Sequence, residues 1–131
     1  MSFILFFLFF SYFLGIEILD GLFNLSLQLK NVWMEKIHSL LSEKKQRTEV
    51  NFIQGDLTIE DWSHATICFA NSTCFDDPLM SAIADKAELM QSGTFFITFT
   101  KKLPSDMWEV LEHESHQMSW GSATVYIQRK L

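Results

Sequence analysis

The feature that most constrains the fold is an alternation of short apolar segments with helix-like segments along the chain. Strands are predicted where β-branched, aromatic and other apolar residues run together, at residues 12–18, 50–53, 65–70, 94–100 and 123–128. Residues 65–70 and 94–100 are apolar on both faces and are predicted to be adjacent central strands. Because strands that alternate with helices pair in parallel, the pattern predicts an α/β fold with a mostly parallel sheet.

Two segments between these strands have apolar residues at the helical period of 3.6. The first begins after a predicted N-cap, Asp20, and its stripe consists of Leu22, Leu25, Leu29, Val32, Trp33, Ile37, Leu40 and Leu41. The second begins at Asp77-Pro78, ends at a predicted cap, Gly93, and its stripe consists of Leu79, Met80, Ile83, Ala84, Ala87 and Met90. Residues 44–48 read as a polar break, and residues 107–114 fit a helix and a strand equally well.

The N-terminal residues 2–16 are almost wholly apolar, and three interpretations stay open for them: a membrane or signal role, a segment outside the fold, and a buried strand. A signal peptide requires a basic start and a small-residue cleavage site, whereas the first lysine is Lys30. A transmembrane helix requires about 20 apolar residues, and this run stops at Glu17. The alternatives are a segment that does not belong to the fold and a buried strand. We expect residues 2–10 to lack stable packing against the helix that begins at Asp20.

Composition and charge indicate a globular protein whose surface is not built to bind nucleic acid. Apolar residues make up 48% of the chain and charged residues 20%, which is a globular composition. The net charge of -6 argues against a surface built to bind nucleic-acid phosphates, so no direct nucleic-acid binding is expected. The two cysteines, Cys68 and Cys74, have no metal-ligand spacing, and reduced thiols are the simplest account.

The candidate functional residues are those that directly follow the apolar segments. In open α/β sheets, ligands bind beyond the carboxyl ends of the strands. An acidic residue that ends an early strand suits the hydroxyls of a ribose, and an Asp after the next strand suits the exocyclic amine of adenine. The residues at these positions are Glu17, Gly55-Asp56-Leu57, Asn71-Ser72-Thr73 and Lys101-Lys102.

Asn71 is the candidate with the most specific functional signal, because it is the first polar residue after a predicted buried strand and begins a polar loop. Its side-chain amide could hold a donor or acceptor near a transferring group, and capping of the following loop is the alternative. A nucleophilic role for Cys74 is disfavoured, since no histidine is positioned by sequence to activate it. His113 and His116 are interpreted as a surface pair, since no further metal ligand accompanies them.

Several motifs together resemble a known family. They are Gly15-Ile16-Glu17, Gln54-Gly55-Asp56-Leu57 with Trp62, Ile67 to Phe75 (ICFANSTCF), and Met118-Ser119-Trp120-Gly121. In order and spacing, from about Gly15 to Lys130, they resemble the disruptor-of-telomeric-silencing (Dot) family. These are lysine-79-specific histone methyltransferases that lack a SET domain.

The resemblance implies a class I, Rossmann-like methyltransferase fold that uses S-adenosyl-L-methionine, with helices on both faces of the sheet. It implies that Glu17 contacts the cofactor ribose, and that Asp56 and Leu57 contact the adenine. It also implies that Asn71 lies beside the methyl-transfer site as the catalytic residue and that Trp120 lines the lysine channel. No metal site is implied.

The chain also departs from the family pattern. Asn71 to Phe75 replaces an Asn-Asn-Phe-Ala-Phe-like segment, which leaves the choice of substrate open. The acidic-x-Gly-x-Gly loop that grips the cofactor is absent upstream of Glu17. The family sheet has strand order 3-2-1-4-5-7-6, and this chain is expected to begin at strand 2. We therefore expect residues 1–14 to lie outside the fold and residues 15–131 to form a partial catalytic domain without strand 1.

Two functional classes remain open at this stage. One is a methyltransferase of histone or other protein lysines that is incomplete and weakly active or inactive. The other is a non-catalytic remnant or protein-interaction module of the same fold, with membrane association possible only through residues 2–16. The expected location is the nucleus or cytoplasm, with a membrane-associated form as the alternative.

Overall fold

A computed structural model describes residues 11–131 of the chain. The chain divides into two compact units, Met1–Glu60 and Asp61–Leu131. Each unit has its own sheet, and no strand in the described part of the chain joins the two sheets. Among residues 11–131, no helix is both long enough and apolar enough to cross a membrane.

The first unit is a two-stranded parallel sheet with a helical connection. Its elements are strand β1 (Tyr12–Glu17), helix α1 (Asp20–Val32), a π-helical turn (Trp33–Ile37), a 3-10 turn (His38–Leu40), helix α2 (Glu43–Gln46) and strand β2 (Glu49–Gln54). The strands run in register from the pair Tyr12 and Glu49 to the pair Glu17 and Gln54. The carboxyl ends of both strands therefore lie at the same edge.

The core formed by residues 11–60 of the first unit is small. Trp33 and Val50 are its buried residues, and four half-buried side chains pack against them, namely Phe13, Ile37, Leu41 and Phe52. Helix α1 has no buried residue. The apolar stripe predicted for it is half exposed, since a two-stranded sheet offers little surface to cover it.

The second unit is a four-stranded mixed sheet with one long helix. Its elements are strand β3 (Ile67–Ala70), a 3-10 turn (Ser72–Cys74), helix α3 (Asp77–Ala87) and strands β4 (Phe95–Phe99), β5 (Trp108–Met118) and β6 (Gly121–Lys130). The order of the strands is β3-β4-β6-β5. β3 and β4 pair in parallel, whereas β6 is antiparallel to both of its neighbours.

The second unit has a more extensive core than the first. Four residues of α3 are at most 2% exposed, namely Met80, Ile83, Ala84 and Ala87. Phe96 of β4 makes edge-to-face ring contacts with Trp62 and Trp108. The four buried residues of α3 confirm the apolar stripe predicted for the second helix.

All five predicted strands are present, but several details of the prediction are wrong. The sheet is mixed rather than mostly parallel, because the ambiguous segment 107–114 is part of β5 and forms a hairpin with β6. In the described part of the chain, β3 is an edge strand and not a central one. Leu19 and not Asp20 is the N-cap of α1, and the predicted polar break contains α2. α3 ends at Ala87, so Gly93 does not cap it and instead forms the turn before β4 with φ of 86°.

The strand order agrees with the expected methyltransferase sheet. β3-β4-β6-β5 corresponds to strands 4-5-7-6, and the separate pair β1-β2 corresponds to strands 2 and 3. The absence of strand 1 stays a prediction, as does the placement of helices on both faces of a complete sheet. β1 already includes residues 12–14, so the predicted domain boundary after residue 14 falls within a strand. The expectation for residues 2–10 lies outside the described residues.

Candidate functional site

Glu17 and Asp56 come together at the carboxyl edge of the first sheet. Glu17 is the last residue of β1, and its carbonyl oxygen accepts a hydrogen bond from the Gly55 amide at 3.1 Å. This bond holds the segment after β2 against the end of β1. The structure therefore confirms that the two predicted strand-end segments are neighbours.

The Glu17 carboxylate is half-buried and is held by its own loop. Its Oε1 accepts a hydrogen bond from the Leu19 amide at 2.9 Å. Within residues 11–131, Oε2 accepts no hydrogen bond. A carboxylate held in this way retains acceptor capacity for hydroxyl groups such as those of a ribose.

Asp56 organises the turn that follows β2. Its Oδ1 accepts from the Thr58 amide at 2.8 Å and from the Thr58 hydroxyl at 2.7 Å. Its carbonyl accepts from the amides of Ile59 and Glu60, both at 2.9 Å. This is the Asx-type turn expected for an Asp in a loop, so the side chain has a structural role, and its contact with adenine stays a prediction.

Gly15 lets the first sheet pack closely. A Cβ atom at this position would lie 2.6 Å from Cε1 of Phe52, which is closer than real Cβ atoms approach other atoms. Phe52 in turn makes an edge-to-face contact with Phe13. The glycine of the Gly-Ile-Glu motif therefore has a packing reason of its own.

Asn71 lies in the second unit, directly after β3. It occupies the N-cap position of the 3-10 turn, but its side chain makes no capping hydrogen bond. Its Oδ1 instead accepts a hydrogen bond from the Thr73 hydroxyl at 3.3 Å. The side chain is exposed at the carboxyl edge of the sheet. Because it makes no capping hydrogen bond, the alternative that Asn71 caps the loop is wrong.

Ser72 fixes this loop to the neighbouring strand. It is completely buried, and its hydroxyl donates to the Phe99 carbonyl at 2.7 Å and accepts from the Phe99 amide at 3.0 Å. Lys101, at the end of β4, reaches the start of α3 and forms an ion pair of 2.6 Å with Asp77. The predicted residues after β3 and β4 therefore do lie together.

Sequence reasoning missed the buried polar residues that support these loops. Thr98 and Gln128 are at most 1% exposed, and the Gln128 Nε2 donates to the Thr98 hydroxyl at 3.1 Å. The Gln128 Oε1 accepts from the Leu103 amide at 2.8 Å. The sequence signal that could have identified them is a polar residue within an otherwise apolar strand, Thr98 in β4 and Gln128 in β6.

The remaining candidates have separate positions in the second unit. Trp120 lies in the two-residue turn between β5 and β6 and is 52% exposed. His113 and His116 are exposed on β5 and pair with Tyr126 and Ala123 of β6. Both histidines are exposed, as the surface interpretation predicts, but residues three apart on a strand point to opposite faces, so they do not form a pair.

Both cysteines are free thiols. Burial raises the pKa of the Cys68 thiol to about 12, so Cys68 is protonated at neutral pH and is not a nucleophile. Cys74 is exposed in the turn after Asn71. No cluster of metal-ligating side chains occurs among the residues that the structure describes.

Glu17 and Asp56 belong to the first unit, and Asn71 and Trp120 belong to the second. The convergence of Glu17, Asp56 and Asn71 on one cleft stays a prediction, as do the contacts of these residues and of Trp120 with a cofactor or substrate. What the structure shows is that the segments containing Glu17 and Asp56 are joined by a backbone hydrogen bond at one strand edge, and that an amide with two hydroxyl groups lies at another.

No protein-family model matches this sequence, and no curated protein matches it either. Solved structures do match. HI0767 of Haemophilus influenzae, provisionally assigned as a methylase, has a TM-score of 0.61 and 12% identity over 90% of this chain. TrmN of Thermus thermophilus has a TM-score of 0.65 and 11% identity over 90% of the chain. YhhF of Escherichia coli, provisionally assigned as a methyltransferase, has a TM-score of 0.61 and 11% identity over 89%.

The chain spans 71%, 36% and 62% of the lengths of these three proteins, in the same order. None of the three is described as a histone methyltransferase, so the resemblance to the lysine-79-specific family stays a hypothesis. At these identities the similarity concerns the fold. The chain has a Rossmann-like fold of the methyltransferase type.

Proposed function

We propose that this chain is an S-adenosylmethionine-dependent methyltransferase domain that acts on a protein lysine and that is weakly active by itself. One observation carries the proposal. The four strands of the second unit follow the 4-5-7-6 part of the order of a methyltransferase sheet, and methyltransferase-type structures match about 90% of the chain with TM-scores from 0.61 to 0.65. Lysine as the acceptor rests on the Dot-family resemblance at residues 67–75 and at Trp120.

The residues at the first strand edge fit the adenosine half of the cofactor. Glu17 offers a held carboxylate for ribose hydroxyls, and Asp56 with the half-buried Leu57 offers an acceptor beside an apolar surface for adenine. When bound, S-adenosylmethionine supplies an electrophilic methyl group. The chain's own contribution is to orient the acceptor amine and to exclude water, with little acid-base chemistry.

The methionine half of the cofactor has less support. The five glycines of the sequence are widely separated, so no acidic-x-Gly-x-Gly segment exists. Such a loop lets the backbone approach the ligand and begins a helix whose N-terminus orients it. Each hydrogen bond of such a loop contributes roughly 1 kcal/mol, so we expect residues 1–131 without it to bind the cofactor more weakly by a factor on the order of a hundred or more.

Asn71 is the proposed catalytic residue. Its carboxamide oxygen has two lone pairs, of which the Thr73 hydroxyl engages one. The second can accept a hydrogen bond from an N–H of the substrate amine and direct the nitrogen lone pair towards the methyl carbon.

The acidic balance of the chain favours contact with a basic histone rather than with DNA. Nuclear or cytoplasmic location stays a proposal.

Calorimetric titration of the chain with S-adenosylhomocysteine tests cofactor binding. We expect weak binding that Glu17→Gln and Asp56→Asn each weaken further, because a neutral amide accepts fewer hydrogen bonds from the adenosine group. Glu43→Gln, on α2, is the matched control and leaves binding unchanged. Absence of any binding by the folded chain would favour the non-catalytic interaction module.

Methyl transfer from labelled S-adenosylmethionine to core histones tests the reaction. We expect slow transfer that Asn71→Ala abolishes, while binding of S-adenosylhomocysteine by this variant stays unchanged. Tight cofactor binding with fast lysine methylation that Asn71→Ala does not affect would contradict both the site and the proposed loss of the glycine loop.

A further inference from the structure

Thr100 has an unusual backbone conformation for its residue type. Its φ is 68°, and it is the one non-glycine residue with positive φ in the described part of the chain. Branching at Cβ makes this left-handed region particularly unfavourable for threonine. The residue directly follows β4 at the carboxyl edge of the sheet. Two questions follow: which contacts hold Thr100 in this conformation, and which groups the conformation positions.

The cause is that hydrogen bonds from two buried hydroxyl groups hold the residues on either side of Thr100, namely Phe99 and Lys101. Ser72 binds both the amide and the carbonyl of Phe99. The Thr98 hydroxyl donates to the Lys101 carbonyl at 2.6 Å. The Thr100 amide itself donates to the Thr124 carbonyl at 2.7 Å. An unfavourable conformation persists when its surroundings determine it in this way, and such residues cluster at functional sites.

The consequence is a row of hydroxyl groups that ends at Asn71. The Thr100 hydroxyl donates to the Thr73 hydroxyl at 3.3 Å, and the Thr73 hydroxyl donates to the Asn71 Oδ1 at 3.3 Å. Thr100 and Asn71 are exposed, so the row is not needed to satisfy buried groups. Both distances exceed the usual O–H···O distance of about 2.7–2.8 Å. Long hydrogen bonds of this kind tighten in many active sites when a ligand binds.

We infer that Thr100 and Thr73 are positioning residues that orient the Asn71 carboxamide for an amine substrate. A hydroxyl that donates to Oδ1 determines which end of the amide is the oxygen and leaves its second lone pair for a substrate N–H. The inferred substrate class is therefore a hydrogen-bond-donating amine. This inference rests on the proposed function for its chemical meaning, and on the described hydrogen bonds for its geometry.

Nuclear magnetic resonance of the Asn71 side-chain amide tests the geometry. Thr73→Val and Thr100→Gly each remove one hydroxyl, and glycine adopts the left-handed conformation readily, so the second variant keeps the fold. We expect both variants to shift the Asn71 amide signals and to lower the order parameter of the side chain. Thr66→Val, at the opposite end of β3, is the control and leaves these signals unchanged. Unchanged Asn71 signals in both test variants would overturn the inference.

A transfer assay then tests the functional role. With core histones as acceptor, we expect kcat to fall by roughly tenfold in Thr73→Val and Thr100→Gly, since small misplacements of a reacting group reduce rates strongly. The affinity for S-adenosylhomocysteine should not change. An unchanged kcat despite shifted Asn71 signals would also overturn the inference. Absence of transfer in the unmodified chain would contradict the proposed function instead, and the resonance experiment would still decide the hydroxyl row.

Discussion

Helices α1 and α3 show how similar apolar patterns have different outcomes in the two units. Both have apolar side chains at helical spacing, and both follow a strand of a parallel pair. Ile83 of α3 is 1% exposed, whereas Leu25 of α1 is 45% exposed. The second unit provides α3 with a four-stranded sheet, while residues 11–60 of the first unit provide α1 with two strands. Periodicity therefore predicts which face of a helix is apolar, and the number of paired strands determines how far that face is buried.

The largest expected effect separates these two helices directly. Ile83→Ala leaves a cavity in a closed core and should reduce the free energy of unfolding by about 2–5 kcal/mol. Leu25→Ala removes a half-exposed side chain and should cost about 1 kcal/mol or less. Urea denaturation followed by circular dichroism measures both. Equal losses would mean that the stripe of α1 is covered in solution.

The sequence predicted the strands and the second helix because each depends on local pattern. Residues 94–100 are β-branched and aromatic, and the stripe from Met80 to Ala87 has a clear period. The edge position of β3 and the hairpin of β5 and β6 were missed, since strand pairing depends on contacts distant in sequence.

At the candidate site, sequence predicted the strand-end positions of Glu17, Asp56 and Asn71. It did not predict the support beneath them. The bonds of Ser72 to Phe99 and of Gln128 to Thr98 join residues 27 and 30 positions apart. The backbone conformation of Thr100 also has no signature in its residue type.

A second expected effect compares two glutamines. Gln128 is completely buried and binds Leu103 and Thr98, so Gln128→Leu leaves a buried amide without its acceptor. We expect a loss of about 1–3 kcal/mol in the free energy of unfolding. Gln54 is exposed at the end of β2 and donates to the Asp20 carboxylate. Gln54→Leu should change stability by less than about 0.5 kcal/mol.

The same denaturation measurement, made on both glutamine variants, decides this comparison. If Gln54→Leu costs as much as Gln128→Leu, the first unit depends on its surface polar contacts as strongly as the second depends on its buried ones. The small core that residues 11–60 form would then be offset by polar contacts at the strand ends of the first unit.

The smallest expected effect concerns the carboxylates that begin the two helices. Asp77 of α3 is paired with a cation, whereas Asp20 of α1 accepts from the neutral amide of Gln54. The hydrogen bond and positive charge of Lys101 lower the pKa of the Asp77 carboxyl below its ordinary value of 3.8. Because the pKa of Asp77 is lower in the folded state than in the unfolded state, the ion pair with Lys101 stabilises the fold at pH values above the unfolded pKa. That contribution is lost as the pH falls through the folded pKa.

Lys101→Met should therefore return the pKa of Asp77 to about its ordinary value, as measured by carboxyl titration in nuclear magnetic resonance. Lys102→Met, at the adjacent exposed lysine, is the matched control and should leave the pKa of Asp77 low. Because the Asp77 side chain is 90% exposed, salt screens the pair, and roughly 1 M salt should raise the pKa of Asp77 in the unmodified chain. A low pKa that persists in Lys101→Met would mean that the start of α3, rather than the lysine, stabilises this carboxylate.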